Sequence, residues 1–368
     1  MAAIALNAQP AGSPSSSNPQ FSGPQSSEPN AEKEELALMT FLREHSDLVS
    51  LVLVHNATVI ADQQPGQEWP LASTVKMLLA LEVIRMGAQG QLDLEEQIPL
   101  SDLKRFHLPG TDGGAHDAWL KSLPEEQRLG RVLLLDVARG MTMFSSNANT
   151  EYLIRRLGRN RAESLGERYG IAPHTPLYPL VGMLWIPNSL PGPVKDHPGQ
   201  LRNLSDQQYR DLAWSWSDSL AADSTGRLRS RFRLAGLAVQ RVFSDRLPAS
   251  TAQAYAELAG SLNRRENLNK AEQNTLAYLL EYLMESPGNQ ANFRHAGMKG
   301  GSSGFLLTKC LYATEHDGQQ IELVYFLNNL QPLEVAALRQ GMNAFELAVL
   351  TDKAVREQLV ELFPPDGD

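Results

Sequence analysis

Ser73 and Lys76 stand three residues apart in the stretch Trp69-Pro70-Leu71-Ala72-Ser73-Thr74-Val75-Lys76, directly ahead of the apolar run Met77 to Met86. A serine hydroxyl is a weak nucleophile until a base takes its proton, and a lysine amine kept neutral by burial can be that base. On a helix this spacing puts both side chains on one face. The run behind them, with Val75, Met77, Leu78, Leu79, Ala80, Leu81, Val83 and Ile84, is apolar on almost every side, as a helix reads when it is buried in the middle of a domain. A serine at its start would have free N–H groups and the positive dipole end to steady a developing anion. The plainer reading of Ser73 is a helix N-terminal cap. The same spacing recurs in Ser101-Asp102-Leu103-Lys104, but in a polar segment between Pro99 and Pro109 with no apolar helix behind it. That copy reads as a surface coincidence.

Two further short motifs supply what acyl transfer needs besides a nucleophile and its base: a proton relay and donors aimed at the tetrahedral oxygen. Ser145-Ser146-Asn147 follows the helical run Leu133 to Phe144 and lies 72 residues beyond Ser73. Lys299-Gly300-Gly301-Ser302 opens the C-terminal strands. Glycines there let a strand backbone approach a ligand that a side chain would obstruct. Each motif also has a structural reading: a helix-end cap for Ser145 and Asn147, a surface strand residue for Lys299, a bulge for the glycines. The S-x-N pattern recurs at Ser16 and Ser261, so the order and context of all three motifs carry the weight.

In that order the chain resembles the penicilloyl-serine transferase superfamily, the class A serine β-lactamases and penicillin-binding DD-peptidases, whose signature is S-x-x-K, S-D-N and K-T-G. The resemblance spans roughly residues 36 to 360. It implies that Ser73 is the acylated nucleophile and Lys76 its proton acceptor. Ser145 would then shuttle a proton to the leaving nitrogen, Asn147 would hold the substrate amide, and Lys299 would bind the substrate carboxylate. Gly301 would lie against the substrate, and the N–H groups of Ser73 and Ser302 would form the oxyanion hole. No cofactor or metal is expected. The expected partner is a small-molecule or peptide acyl substrate, either a β-lactam or a related amide or ester.

Three positions depart from the pattern. Ser146 replaces the Asp of the middle motif, as the looser S-x-N of DD-peptidases allows. Gly300 replaces the Thr or Ser of the third, which removes a hydroxyl from the carboxylate site. Leu184-Trp185-Ile186-Pro187-Asn188 is the nearest match to the class A stretch whose glutamate activates the deacylating water, and Ile186 falls in the glutamate's place. No acidic residue lies between Arg168 and Lys195, so slow deacylation is expected; Glu163 and Glu167 are the nearest carboxylates before that gap.

The same residues admit rival readings. Gly300-Gly301-Ser302-Ser303-Gly304 fits the G-x-S-x-G elbow of α/β-hydrolases, but that elbow must lead into a helix and a strand pattern follows. His107, Asp112 and His116 match no zinc spacing and read as polar residues of a mobile loop. A non-catalytic or esterase member of the fold, binding cell-wall peptide or another acyl ligand, is the alternative that Ser146, Ile186 and Gly300 favour.

The elements that must position these residues are legible at both ends of the chain. Leu36, Met39 and Leu42, with Ala37 and Phe41, mark a first helix. Leu51 to Ile60 reads as a hairpin turning at Asn56. Phe305 to Thr314 and Ile321 to Asn328 pair through His316-Asp317-Gly318. A last helix carries Val335, Leu338, Met342, Phe345 and Val349 at steps of three and four. The expected fold is therefore α+β: an antiparallel sheet built from N- and C-terminal strands with flanking helices, beside an inserted helical lobe over roughly residues 70–290. Residues 33–368 are expected to form a single catalytic domain. In the least legible part, residues 190 to 250, Tyr209, Leu212, Trp216 and Leu220 suggest a helix stripe. Arg227, Arg229, Arg231 and Arg233 read there as a solvated face, or as the edge of a site entrance.

A net charge of −9 argues against nucleic acid as a partner. Cys310 is the only cysteine, which excludes an intrachain disulfide. No run approaches the length of a transmembrane span. Residues 1–32, rich in Ser, Pro, Gln and Asn, form an expected disordered leader. Met1 to Ala8, read as the end of a signal peptide, makes a periplasmic or extracellular location the expectation and a cytoplasmic one the alternative.

Overall fold

The computed structural model describes residues 36–128 and 130–365. The expected leader and the signal-like Met1 to Ala8 lie outside the described residues.

Five strands form one antiparallel sheet: β1 (Val49–His55), β2 (Thr58–Gln63), β3 (Phe293–Ser302), β4 (Leu307–Glu315) and β5 (Gln320–Leu327). Their order across the sheet is β2-β1-β5-β4-β3, so the N-terminal hairpin pairs with the last strand of the C-terminal group. The turn between β1 and β2 holds Asn56 and Ala57 at φ 50 and 64, the left-handed pair that a two-residue hairpin needs. Asn56 also ties the hairpin to β5, donating its N–H to the Gln320 carbonyl and accepting the Gln320 N–H on Oδ1, both at 2.9 Å. Gly318, at φ 98, makes the turn between β4 and β5.

Both faces of the sheet are covered, and the strand period of two assigns the residues. Leu323, Tyr325 and Leu327 of β5 join Leu51, Leu53, Leu307 and Leu311 in a core under the terminal helices, whereas Val324 and Phe326 face the helical lobe. Those terminal helices are α1 (Ala37–Glu44), with α8 (Pro332–Thr351) and α9 (Lys353–Leu362) at the other end. The expected stripe Val335, Leu338, Met342, Phe345 and Val349 is buried in that core. In α1 the expected Met39, Phe41 and Leu42 are buried with Leu36 at the edge of the face, while Leu38 rather than Ala37 completes it.

The lobe between the sheet's two halves contains α2 (Lys76–Ala88), α3 (Asn147–Leu157), α4 (Leu180–Trp185), α5 (Asp206–Ala222), α6 (Ala252–Asn263) and α7 (Lys270–Leu280). Ten of the thirteen residues of α2 are buried, which accounts for its lack of a polar face. Helix α5 exists as read, but its buried side is Tyr209, Ala213, Trp214, Ser217 and Leu220, with Leu212 and Trp216 only partly covered. Close packing of α4 on α5 explains the shift: a Cβ on Gly182 would lie 2.0 Å from the Ala213 carbonyl oxygen. Among the described residues no helix is long and apolar enough to cross a membrane.

Candidate active site

The polypeptide reaches Ser73 through a strained residue. Ala72 sits at φ 45, uncommon for a residue with a Cβ, and opens a single 3₁₀ turn, Ala72–Val75, that feeds α2. Ser73 thus precedes the α-helix proper, while Lys76 is its first residue. Two threonines hold the turn: Thr308 Oγ1 donates to the Leu71 carbonyl at 2.8 Å and shares a 2.8 Å hydrogen bond with Thr74 Oγ1. Strand β3 comes up against the same turn. A Cβ on Gly301 would stand 2.5 Å from the Ser73 backbone nitrogen and 2.7 Å from the Leu71 carbonyl oxygen. Only a glycine permits that approach.

Lys76 is fully buried, and its Nζ lies 2.7 Å from the Ser145 carbonyl, 3.0 Å from Asn147 Oδ1 and 3.3 Å from Ser145 Oγ. Burial, with Lys299 nearby as the second cause, holds its amine well below the usual lysine range, and Asp112 opposes them in part. A neutral amine has two N–H donors and one lone pair. The carbonyl and the Asn147 amide oxygen can take both donors, which leaves the lone pair for a serine proton.

A π-helical turn, Gly140–Phe144, delivers Ser145, which is itself left-handed at φ 70. Such turns recur at functional sites because they displace a side chain from the helical register. Ser146 faces into the protein, where its Oγ caps α3 through the Asn149 N–H at 3.2 Å and meets His116 Nδ1 at 2.9 Å. His116 is pushed down to about 3 by burial first and His107 second, so it stays neutral. Asn147 is engaged at both ends of its amide, with Nδ2 donating 3.4 Å to the Thr111 carbonyl.

Lys299 is buried on β3 rather than displayed on its surface; burial, then Lys309, lower it to about 7, and Nζ donates 2.8 Å to the Gly300 carbonyl. Ser302 ends the strand and is also buried. Ser303, next along, accepts hydrogen bonds from the Phe305 N–H at 3.1 Å and the Ser244 hydroxyl at 2.6 Å. By contrast, Ser101 and Lys104 are exposed on a short helix, Leu100–Lys104. No helix follows Gly304; β4 does.

One sequence expectation needs correction. Asp112 lies in a loop as read, but His116 does not: it is in the first turn of a helix, Ala115–Ser122, its N–H donates to Asp112 at 3.1 Å, and Thr111, Asp112 and His116 are all buried. The glycines that suggested mobility, Gly113 and Gly114, serve instead as the left-handed entry to that helix. Ile186 is fully buried in a turn, Ile186–Ser189, behind Trp185, whose ring packs 5.5 Å from Trp216 and 5.7 Å from Phe232. That apolar setting would not suit a carboxylate. The two carboxylates nearest in sequence do not replace it: Glu163 bonds Arg159 and Trp214, each at 2.9 Å, and Glu167 is exposed. The buried Glu151 accepts the Val181 and Gly182 N–H groups at 2.9 and 3.1 Å, so it anchors α4, and burial raises its pKa.

A small, mostly apolar cavity adjoins the site at Thr111, which accepts from Asn147, and at Ser303. Between Thr111 on one wall and Ser303 on the other, Phe232, Leu234, Ala235, Leu184 and Phe243 enclose a cavity of about 20 Å³. The segment that carries Phe232 is fastened by a reciprocal pair, Asn188 Nδ2 to the Arg233 carbonyl at 3.2 Å and the Arg233 N–H to Asn188 Oδ1 at 2.8 Å. Arg229 adds a bond to the Lys104 carbonyl at 2.5 Å. Ser73 is itself 2% exposed. Sequence patterns gave no notice of Thr308, because its role depends on Leu71 and Thr74, more than two hundred residues away.

An antiparallel sheet between terminal helices and an inserted helical lobe is the architecture of the β-lactamase and DD-peptidase superfamily. The chain belongs to the beta-lactamase enzyme family, whose model matches residues 38–294, and at that level it is a serine β-lactamase-like hydrolase. Similar solved structures include a β-lactamase from Sphaerobacter thermophilus, 16% identical, with 90% of this chain and 98% of that one covered at a TM-score of 0.52. A β-lactamase from Chitinophaga pinensis is 15% identical, with coverage of 88% and 94% and a TM-score of 0.50. A class A β-lactamase representative from Bacteroides cellulosilyticus is 13% identical, with 88% and 96% covered, also at 0.50. At these identities the likeness concerns the fold alone. No curated protein matches the sequence.

Proposed function

We propose that the protein is a serine hydrolase that acts through an acyl-serine intermediate on a β-lactam or a related amide or ester, with Ser73 as nucleophile. The observation that carries this reading is the buried Lys76 amine, held between Ser145 and Asn147 one turn from Ser73. In this scheme Lys76 takes the Ser73 proton as the hydroxyl attacks the acyl carbon. The proton then passes through Ser145 to the leaving nitrogen or oxygen. The N–H groups of Ser73 and Ser302 receive the oxyanion, and the approach of Gly301 to Ser73 N supports that pairing. Asn147 holds the substrate amide, and Lys299 attracts a substrate carboxylate while it is protonated.

Hydrolysis of the acyl-enzyme is slow in this reading, because Ile186 is buried among aromatic rings and Glu151, Glu163 and Glu167 are committed elsewhere or exposed. A general base typically contributes about 10²–10⁴-fold to such a step. Intact-mass measurement after incubation with a labelled penicillin tests the assignment. The expected result is one adduct, mapped to the peptide that contains Ser73 and absent from Ser73→Ala. An adduct that persists in that variant, or maps to Ser101 or Ser302, overturns it.

A neutral ester is favoured as the alternative substrate by one observation: Gly300 lacks a hydroxyl beside Lys299, whose pKa of about 7 leaves it only partly charged at neutral pH. Faster acylation by a neutral ester than by its carboxylate-bearing analogue would support that substrate class.

A further inference from the structure

Helix α2 has a second face with chemistry of its own. Arg85 lies nine residues beyond Lys76, and at roughly 100° per residue that is half a turn around the axis, on the side away from the Lys76 amine. There α2 borders a cavity of about 420 Å³, within the size range of small-molecule sites. Three arginines, Arg85, Arg161 and Arg168, line it, together with Tyr169, Gln89 and Ser261. In a chain of net charge −9, that clustering of cations around one hollow calls for an explanation.

The carboxylate of Glu82 accounts for only part of it. Glu82 is 1% exposed and takes Arg161 at 2.7 Å, Arg168 at 3.3 Å and the hydroxyl of Tyr169. Arg85 is left out of this network. Its guanidinium lies over the Tyr169 ring, 5.5 Å from the centroid, and its buried Nε has no hydrogen-bond partner among the described residues. A buried guanidinium N–H without an acceptor is costly unless something else supplies one. With Glu257 at the rim counted, three arginines face two carboxylates, so the cavity keeps an excess positive charge. Leu81, Met86, Ile171 and Leu258 form its apolar wall.

We propose that this cavity is a binding site for a small organic anion, whose carboxylate or phosphate oxygens are received by Arg85 and Arg168 while its carbon skeleton lies against Met86 and Ile171. Planar guanidinium groups suit both kinds of oxyanion, and Tyr169 holds Arg85 in place from one face.

The test follows binding itself, independent of catalysis. The full chain, labelled with ¹³C in its methionine methyl groups, is titrated separately with inorganic phosphate and with citrate, at constant ionic strength set by chloride. The Met86 resonance is expected to shift saturably, while Met39 and Met342, in the core under the terminal helices, stay unmoved. Arg85→Ala should weaken the response about tenfold or more, the loss of one charge-assisted contact. Arg168→Gln, at a more exposed side chain, should weaken it as well and serves where Arg85→Ala does not fold. Stronger response to one anion distinguishes a phosphate site from a carboxylate site. A Met86 shift that never saturates at millimolar anion, that tracks ionic strength alone, or that persists undiminished in the folded variants overturns the proposal.

Discussion

The Lys76 Nζ lies 2.7 Å from the carbonyl oxygen of Ser145 and 3.3 Å from its hydroxyl, so one serine offers the amine both an acceptor and a proton partner. The left-handed backbone of Ser145 makes this possible, because it turns carbonyl and side chain toward the same nitrogen. If Lys76 is the base for Ser73, Lys76→Ala should slow acylation about 10²–10⁴-fold on any substrate. Lys299→Ala should chiefly raise KM for carboxylate-bearing substrates. Stopped-flow acylation with a neutral ester checks the division, and equal losses for the two variants would refute it.

Lys299 gives a pH signature. Its pKa of about 7 in the free protein means that the charged form prevails below that pH and is lost above it. The kcat/KM for an anionic substrate, divided by that for a neutral ester, should therefore fall as pH rises through about 7. Folding stability moves the other way: an unfolded lysine titrates near 10.4, so between about 7 and 10 the unfolded chain binds more protons and stability rises with pH. A flat substrate ratio across that window would remove Lys299 from carboxylate recognition.

Gly300 and Gly301 should respond oppositely to a side chain. At Gly301 a Cβ meets backbone atoms of Ser73 and Leu71, at 2.5 and 2.7 Å, which cannot swing aside. Gly301→Ala should cut acylation by about 10²-fold, the order expected when a site is displaced by an ångström. At Gly300 the nearest contact is the flexible Lys309 Cε at 3.3 Å, with the Thr308 carbonyl oxygen also at 3.3 Å. Gly300→Thr should fold and bind carboxylate substrates more tightly through the added hydroxyl, and titration with such a substrate reads this directly.

Turnover should show a burst of about one equivalent of product followed by a slow phase, the kinetic mark of an accumulating acyl-enzyme. Ile186→Glu should destabilise the protein rather than quicken that phase. It would place a carboxylate at a fully buried site beside Trp185. Thermal melts and steady-state rates check both outcomes; fast steady hydrolysis by the unmodified protein would overturn the first.

The segment that carries Phe232, beside the cavity next to the site, should act as a gate. Asn188→Ala removes the reciprocal pair with Arg233, two exposed hydrogen bonds of about 1 kcal/mol or less each. The open form should gain population, and acylation by a bulky penicillin should quicken about fivefold to tenfold. Phe232→Ala should act in the same direction by opening the cavity between Thr111 and Ser303. No change in either variant would show that entry does not pass this way.

The amino-acid sequence by itself determined the sheet, the terminal helices and α2, because strand alternation and apolar periodicity are local and each element buries its own stripe. It also marked Ser73, Lys76, Ser145, Asn147 and Lys299 through residue type and order. Only the tertiary structure decided that Asp112 and His116 are buried beside the cleft, that Thr308 holds the Ser73 turn, and that Ile186 belongs to an aromatic cluster. Each of these depends on contacts between segments distant in sequence, where the pattern around a residue says nothing about its neighbour in space. The irregular backbone at Ala72 and Ser145 was hidden for a related reason. Their strained conformations are imposed by surrounding packing against the preference of the residues themselves.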